Sequence, residues 1–334
     1  MSTRYLMGID AGATKTAYAL YDSQTRITRL HYAGCGNHER LAGGYDELRK
    51  MMTAQIGQLC QAAGIAPEDI GGAGLGIAGV DTARQHRIIS DIFAGIGLKQ
   101  FHLGNDALLG IKAECETGIC AVNGTGFSIL GIDDQGNTAQ MGGLDELTGD
   151  QGGGRFYAER GIEAVYRALE KEGPKTRLTE GTLRLLGIDD GALFIEALSE
   201  ANEGAGQGDF RKGISILVHT CAAEGDAVAE EILRSSGREY AACVLGVLRH
   251  LPRLAAKGEV NLILVGSCFL RSASDLTKRT MEQVLREKRP EVAFRIRPIQ
   301  TDPVVGGLLW AREAAQIDLS REEILGSYQK AIIA

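Results

Sequence analysis

The stretch that most constrains the fold lies near the start of the chain, at residues 7–22. It reads MGIDAGATKTAYALYD, an apolar run that ends in Asp10, a turn with glycine and hydroxyl residues, and a second apolar run. A glycine-containing turn lets backbone N–H groups converge on an anion, because no Cβ blocks the approach. A carboxylate in the same turn would repel a phosphate unless a cation such as Mg²⁺ lies between them. The stretch therefore predicts strand–turn–strand, with either a magnesium–nucleotide site or an ordinary hairpin turn at its tip.

The same pattern returns at residues 119–133, which read ICAVNGTGFSILGID. Again an apolar run leads into a turn with glycine and threonine, and the second run ends in an aspartate. A repeated strand–turn–strand unit indicates two related halves. The alternative is a coincidence between two unrelated hairpins.

Length and composition narrow the class of protein. A chain of 334 residues is long for one hydrophobic core and favours two domains. The net charge of −7 disfavours a nucleic-acid partner, because binding to phosphate backbones needs a basic face. No apolar run has the length of a signal peptide or a membrane span, so we expect a cytoplasmic protein. Seven cysteines without a CxxC pair predict reduced thiols that pack as small apolar residues.

Two polar segments interrupt the apolar pattern and are candidates for a site. Asn105 and Asp106 precede a helix predicted over residues 107–113, and either side chain could cap it. Residues 142–154, GGLDELTGDQGGG, form a glycine-rich loop that leads directly into a helix predicted to begin near Arg155. Such a loop favours a site for an anion or a polar ligand, or else it is a flexible connector.

The C-terminal part of the chain adds two further motifs. Residues 261–265 form an apolar run, predicted as a buried strand, that ends in Gly266 and Ser267. Asp302 and Pro303 predict the start of a helix, with Asp302 as its cap and Pro303 in its first turn. Small residues within that helix would let it pack very close to another helix.

Taken in order, these motifs resemble those of the ASKHA superfamily, which includes actin, sugar kinases and Hsp70. Within it the chain resembles the N-acetylglucosamine kinase and BadF/BadG-type ATPase family. The resemblance covers most of the chain and is weakest over residues 173–225. It implies two α/β domains, each a ribonuclease-H-like (actin-like ATPase) mixed sheet, with ATP and sugar in an interdomain cleft. We expect the first domain to span residues 1–114 plus a C-terminal helix at about 316–334, and the second to span 115–315.

The resemblance also implies roles for particular residues. Asp106 would be the catalytic base, and Asp10 would reach Mg²⁺ through water. ATP and its phosphates would be bound by Gly12, Ala13, Thr14, Lys15 and Thr16 in the first turn, by Gly124, Thr125 and Gly126 in the second, and by Gly266 and Ser267. The sugar would be bound by Asn37, His38, Asn105, Asp106, Gly143, Asp150 and Gly154.

Several positions depart from the family pattern. Glu39 stands where the family has an aromatic residue, and Ser267 replaces a glycine. In the glycine-rich loop, Leu144 and Asp145 replace a Trp-Gly pair, and Gln151 replaces a glutamate. The acids gained at Glu39, Asp145 and Glu146 would suit a free amine, so both N-acetylglucosamine and glucosamine are candidate acceptors.

The predicted function is therefore an ATP-dependent kinase that phosphorylates a hydroxyl of an amino sugar, with Mg²⁺ and ATP. We also expect a homodimer without nucleic-acid or membrane partners. One alternative is an ATPase that activates a dehydratase or reductase through an iron–sulfur cluster, but Cys115 and Cys120 lack a recognisable cluster spacing. Another is a non-catalytic, sugar-sensing regulator.

Overall fold

The computed structural model describes residues 4–144, 147–203 and 206–333. In chain order its strands are β1 (Tyr5–Ala11), β2 (Thr16–Asp22), β3 (Ile27–Ala33), β4 (Ile70–Ile77), β5 (Phe101–Gly104), β6 (Gly118–Asn123), β7 (Phe127–Ile132), β8 (Thr138–Met141), β9 (Glu259–Val265) and β10 (Ala293–Pro298). Its helices are α1 (Gly44–Ala63), α2 (Ala83–Ile96), α3 (Ala107–Glu114), α4 (Gly153–Glu170), α5 (Leu178–Leu186), α6 (Phe194–Glu203), α7 (Gln207–Ala223), α8 (Ala227–His250), α9 (Ser267–Leu270), α10 (Leu276–Lys288), α11 (Pro303–Ala314) and α12 (Arg321–Ile333).

The chain divides into two compact units. The first comprises Met1–Cys120 and Ile299–Ala334, and the second comprises Ala121–Pro298. The predicted boundary at residue 315 was wrong for one helix, because α11 belongs to the first unit. The reason is that α11 packs on the central strands β1 and β4 of that unit, a contact between segments about 230–300 residues apart that no local pattern reveals.

The two sheets share one strand order. The first runs β3-β2-β1-β4-β5, and the second, taken from its far edge, runs β8-β7-β6-β9-β10. The strand directions also correspond, since β2 and β3 are antiparallel like β7 and β8, and β4 and β5 are parallel like β9 and β10. The internal repeat predicted from the two hairpins is confirmed, and so is the mixed α/β sheet.

The sheet of the first unit is covered on both faces, because side chains along a strand alternate between faces. Met7 and Ile9 of β1 and Leu20 of β2 join the core formed with α1 and α2. Leu6 of β1 and Ala19 of β2 point the other way, into the core formed with α11 and α12. The hairpin that begins the chain is thus fully packed, and its turn projects from a rigid base.

Glycines let α11 approach the sheet closely. A Cβ on Gly8 would lie 2.6 Å from the carbonyl oxygen of Val304, and a Cβ on Gly74 would overlap the carbonyl of Gly307. A Cβ on Gly306 would likewise overlap the carbonyl of Leu109 in α3. The predicted close contact between this helix and another is confirmed, whereas its contact with the strands was not foreseen.

The second unit adds a helical layer to its sheet. Residues 173–225, the part with the weakest resemblance, form α5, α6 and α7. Phe194 and Val218 from this segment are fully buried with Tyr157 of α4 and Leu233 of α8. The seven cysteines all lie in the described part of the chain, and none of them forms a disulfide. In the described residues, no helix combines the length and the apolar character needed to cross a membrane.

Candidate functional site

The first turn, residues 12–15, is held at three points. The amide of Gly12 donates to the carbonyl of Lys15 (2.9 Å), and its own carbonyl accepts from the amide of Gly36 (2.9 Å). The hydroxyl of the buried Thr16 donates to the carbonyl of Gly34 (2.9 Å). This hydrogen bond ties residues 34–36 to the hairpin, and the assignment of Thr16 to the phosphates stays a prediction.

The other groups of the first turn remain available to a ligand. Within the described residues, the backbone amides of Ala13, Thr14 and Lys15 make no hydrogen bond to the protein. Thr14 and Lys15 are exposed, and Gly12 and Ala13 are partly exposed. Consecutive free amides beside a lysine are the arrangement that binds phosphate oxygens.

Two carboxylates of the first unit have strongly raised pKa values. Burial raises the pKa of Asp10 to about 6, with Lys15 opposing the rise and the charge of Asp302 adding to it. Burial raises the pKa of Asp106 to about 7, and the charges of Asp10 and Asp81 contribute. A carboxyl group whose pKa lies near neutrality is suited to accept a proton during a reaction.

The structure decides which of two residues caps α3. The amide oxygen of Asn105 accepts from the backbone N–H of Ala107 (3.0 Å), and its amide nitrogen donates to Asp81 (2.8 Å). Asp106 occupies the cap position but makes no capping hydrogen bond. Because Asn105 performs the capping, the carboxylate of Asp106 is left for another role.

The polar loop at residues 36–39 lies beside the same strand ends. Gly36 packs against Ala11 and Thr16, where any side chain would collide with the hairpin. Asn37 orders the loop by accepting the amide of Glu39 (2.8 Å). A Cβ on Gly79, which follows β4 with φ +84°, would lie 2.9 Å from the side chains of both Asn37 and His38.

His38 has an unusual environment. It is 6% exposed and stacks on Tyr45, with ring centroids 4.2 Å apart. Burial lowers its pKa, so the ring is neutral at pH 7. Among the described residues, no group reaches its buried Nδ1 atom with a hydrogen bond. A buried nitrogen without a partner marks a position where a water or ligand can bind.

Sequence inspection missed two residues of this group, Asp81 and Gln85. Asp81 holds Asn105, as described above. Gln85 closes a capping box with Thr82 at the start of α2 and also donates to Glu39 (3.0 Å). The pattern Thr82-x-x-Gln85 was the available signal. The predicted sugar-binding residues of the first unit, Asn37, His38, Asn105 and Asp106, thus form one group with these two.

In the second unit, three backbone turns meet. The second turn, residues 124–126, is closed by the Gly124 amide donating to the Gly126 carbonyl (3.1 Å). The Gly154 amide donates to the Gly124 carbonyl (2.8 Å). Gly266, with φ +100°, lies so close to Asn123 that a Cβ would overlap its carbonyl. The residues predicted at the second turn and at 266–267 are brought together, and Thr125, Gly126 and Ser267 are exposed.

Gly154, predicted to bind the sugar, also contacts the second turn. It was grouped with Gly143 and Asp150, but its hydrogen bond joins it to Gly124. Gly143 and Asp150 do form a pair, in which the Gly143 amide donates to the Asp150 carboxylate (2.8 Å) and Thr148 donates to its other oxygen (2.7 Å). Asp145 and Glu146, two of the acids proposed for specificity, lie outside the described residues.

A buried hydrogen-bond chain supports the second turn. Asn123 accepts the amide of Gly153 (2.9 Å) and donates to the hydroxyl of Tyr157 (2.9 Å). That hydroxyl also bonds the hydroxyl of Ser236 (2.8 Å), and Tyr240 donates to the carbonyl of Val122 (2.8 Å). These contacts join helices α4 and α8 to the end of β6, and no sequence motif predicts them.

The carboxylates of the first unit suit Mg²⁺, which binds proteins largely through water, better than a metal ion that needs three or more side-chain ligands. Among the described residues, no three His, Cys, Asp or Glu side chains lie close enough together to hold a metal ion. Mg²⁺ commonly keeps several waters and contacts one or two carboxylates plus phosphates. Asp10, partly exposed at the end of β1, is the carboxylate best placed for such a contact, since it adjoins the free amides of the first turn.

Comparison with known proteins gives the family. A sequence profile of the BadF/BadG/BcrA/BcrD ATPase family matches residues 7–311. The chain belongs to this ATPase family. The match includes both hairpins and the start of α11, and membership implies the use of ATP.

Two curated relatives of this ATPase-family chain are sugar kinases. The N-acetylmuramic acid/N-acetylglucosamine kinase of Clostridium acetobutylicum is 25% identical over 254 residues, which cover 74% of this chain and 80% of that protein. The N-acetyl-D-glucosamine kinase of Dictyostelium discoideum is 27% identical over 198 residues, which cover 56% of this chain and 62% of that protein.

Solved structures show the same fold. A proposed N-acetylglucosamine kinase from Chromobacterium violaceum superimposes with a TM-score of 0.64 and 22% identity, over 93% of this chain and 100% of that one. A proposed N-acetylglucosamine kinase from Porphyromonas gingivalis gives a TM-score of 0.57 and 18% identity, over 94% and 100%. A ROK family glucokinase from Streptomyces griseus, solved with glucose and AMPPNP, gives 0.52 and 17%, over 94% and 100%. These likenesses confirm the predicted fold class.

Proposed function

We propose that this chain is an ATP-dependent kinase that phosphorylates a hydroxyl group of an amino sugar of the N-acetylglucosamine or glucosamine class. Family membership supports ATP as the donor, and the two curated relatives support a sugar as the acceptor. The observation that carries the proposal is the state of Asp106: Asn105 caps α3 in its place, and its pKa is raised to about 7.

In the proposed reaction, Asp106 accepts the proton of the attacking sugar hydroxyl. The sugar oxygen forms a bond to the γ-phosphorus as the bond to the β–γ bridging oxygen breaks, so that ADP leaves and the proton stays on Asp106. Phosphoryl transfer depends mainly on positioning and on charge neutralisation. A general base of this kind contributes about 10²–10⁴ in rate.

The remaining residues are assigned to binding. The free amides of Ala13, Thr14 and Lys15 would hold phosphate oxygens, as would the exposed Thr125 and Gly126 of the second turn. Mg²⁺, bound with ATP and contacted by Asp10 through water, would neutralise negative charge on the phosphates. Gly266 and Ser267 would border the adenosine.

The sugar would contact Asn37, His38, Asn105 and Asp106, with Gly143 and Asp150 as a second group of polar contacts. The unpartnered Nδ1 of His38 supports a ligand at this loop. Because the His38 ring is neutral, its Nδ1 can accept from a hydroxyl or an amide of the sugar.

The test is a sugar panel followed by release of ADP. Wild-type protein is incubated with Mg²⁺, ATP and either glucosamine, N-acetylglucosamine or N-acetylmuramic acid. We expect ADP release that depends on at least one of these sugars. The Asp106→Asn variant should lose at least about 100-fold in turnover while retaining ATP affinity. The matched control is Asp91→Asn, which removes one charge from an exposed position on α2 and should leave turnover unchanged.

Two results would contradict the proposal. Near-normal turnover of Asp106→Asn would remove Asp106 from the mechanism. ATP hydrolysis that no sugar stimulates, together with iron in protein purified without oxygen, would instead favour the activator of a dehydratase or reductase.

A further inference from the structure

Asp302, at the start of α11, is the predicted cap residue, and its carboxylate has a partner in another helix. It stands at the cap position before Pro303, but its carboxylate makes no capping hydrogen bond. One of its oxygens instead accepts the hydroxyl of Tyr328 from α12 (2.7 Å). The predicted cap residue is therefore in place, but its exposed carboxylate is held by a residue from the C-terminal helix rather than by the first turn of α11.

The direction of α11 shows where this carboxylate lies. The backbone of Ala311 packs over Gly72 of β4, and that of Gly307 packs over Gly74 one turn earlier. In the parallel pairing of β1 with β4, the next step in the same direction reaches Gly76, which is paired with Asp10. Going toward its N-terminus, α11 therefore runs toward the strand end that carries Asp10.

The carboxylates of Asp10 and Asp302 also interact electrostatically. A Cβ on Gly8, two residues before Asp10, would lie 2.6 Å from the carbonyl oxygen of Val304, two residues after Asp302. In agreement with this packing, the charge of Asp302 contributes to the raised pKa of Asp10. Like charges held close together favour a cation between or beside them. The two groups are thus placed to act on the same cation.

Tyr328 is suited to hold Asp302 in one orientation. It is 4% exposed and packs in the core with Leu308 and Ile324, so its ring has little freedom. Burial and the neighbouring Asp302 carboxylate raise the pKa of its hydroxyl, which therefore stays protonated and donates. A fixed donor restricts the carboxylate without neutralising its charge.

We propose that Asp302 is a second carboxylate, with Asp10, for the hydrated Mg²⁺ of the ATP complex, and that Tyr328 is its positioning residue. This inference rests on the proposed function, since Mg²⁺ enters with ATP. Two carboxylates acting through water match the usual protein contribution to a magnesium–nucleotide site. The C-terminal helix would then contribute to metal binding through Tyr328, although it contains no recognised motif.

The experiment measures metal binding directly and needs no sugar. Mn²⁺ is titrated into the full-length protein with saturating ATP, and free Mn²⁺ is followed by electron paramagnetic resonance. We expect Asp302→Asn to raise the half-saturating Mn²⁺ concentration about 10-fold, as loss of an outer-shell partner typically does. Tyr328→Phe should cause a smaller rise in the same direction.

The control is Asp318→Asn, which removes the same charge from an exposed residue in the same unit. Asp318 follows the far end of α11, about 18 Å along the helix axis for 12 residues. This variant should bind Mn²⁺ like the wild type. In the double variant Asp302→Asn/Tyr328→Phe, we expect no rise beyond that of Asp302→Asn, because Tyr328 acts through Asp302.

Wild-type Mn²⁺ affinity in Asp302→Asn would overturn the inference. Additive effects in the double variant would refute the positioning role of Tyr328. If Tyr328→Phe does not fold, the Asp302→Asn variant decides alone. This variant is expected to fold, because position 302 is exposed and the asparagine amide oxygen can still accept from the Tyr328 hydroxyl. A wild-type protein that phosphorylates no sugar would defeat the proposed kinase activity, yet the Mn²⁺ titration would still report on Asp302.

Discussion

Replacement of Asp106 by asparagine should make the protein more stable at alkaline pH while it abolishes catalysis. The pKa of Asp106 in the folded protein is about 7, against 3.8 for an unperturbed aspartate. When the folded pKa is the higher one, the stabilising contribution is complete below about pH 4 and is lost as the pH rises through 7. The wild type therefore carries a buried-charge cost at pH 8 that the neutral amide of the Asp106→Asn variant avoids.

The size of the effect follows from the shift. A rise from 3.8 to about 7 corresponds to about 4 kcal/mol at 1.36 kcal/mol per pKa unit. The Asp106 side chain is partly exposed, and solvent screens part of its interaction with Asp10 and Asp81. We therefore expect Asp106→Asn to gain about 1–2 kcal/mol at pH 8, or about 2–6 °C in Tm.

The assay is thermal unfolding of wild type and Asp106→Asn between pH 4 and pH 9, without ligands. At pH 4 both side chains are neutral, so the two melting temperatures should nearly coincide. The difference should then grow between pH 5 and pH 8. Asp10, whose pKa is raised to about 6, titrates in both proteins, and the difference between them reports Asp106 together with its coupling to Asp10. Asp91→Asn should show no such pH-dependent gain.

One outcome would refute the reasoning. If Asp106→Asn melts at or below the wild-type temperature at pH 8, then Asp106 is not a carboxyl group destabilised by burial and by its acidic neighbours. Its assignment as a base with a pKa near neutrality would fail with it.

Two further predictions concern the backbone packing and the second turn. Gly74→Ala should lower the free energy of unfolding by about 3 kcal/mol or more, because the new Cβ would collide with the α11 backbone. The control Gly57→Ala, in open space on α1, should raise it by up to about 1 kcal/mol. Denaturant titration measures both variants, and equal effects would contradict the close approach of α11 to the sheet. Tyr157→Phe removes the hydroxyl that supports Asn123. It should raise the KM for ATP about 3-fold or more, since a lost hydrogen bond costs about 1 kcal/mol, and leave the KM for sugar unchanged. Tyr166→Phe on the same helix is the control, and an unchanged KM for ATP in Tyr157→Phe would show that this hydrogen-bond network does not support nucleotide binding.

Much of the geometry of the candidate site was predictable because its signals are local. Asp10 and the first turn lie within seven consecutive residues, and the second turn repeats the same pattern. The constraints on such turns, glycine conformation and free amides, act over a few residues. The repeat of the hairpins was also enough to predict two similar sheets.

Where local rules could not assign a side chain's partner, the physical cause is the same: a polar side chain has several possible hydrogen-bond partners. The sequence left Asn105 and Asp106 as alternative caps of α3, and the hydrogen bond with Asp81, 24 residues away, favours Asn105. Asp302 lies at the predicted cap position, but its carboxylate accepts from Tyr328, 26 residues away. The hydroxyl of Thr16, a residue predicted to bind phosphate, donates to the carbonyl of Gly34, 18 residues away.

The amino-acid sequence by itself thus determined the strand–turn–strand units, their repetition and the identity of the two acids, Asp10 and Asp106, at strand ends. The tertiary structure decided which carboxylates are released from capping, how far their pKa values rise and which unit contains α11. These properties depend on burial and on partners brought together by chain folding, and no spacing along the chain encodes them.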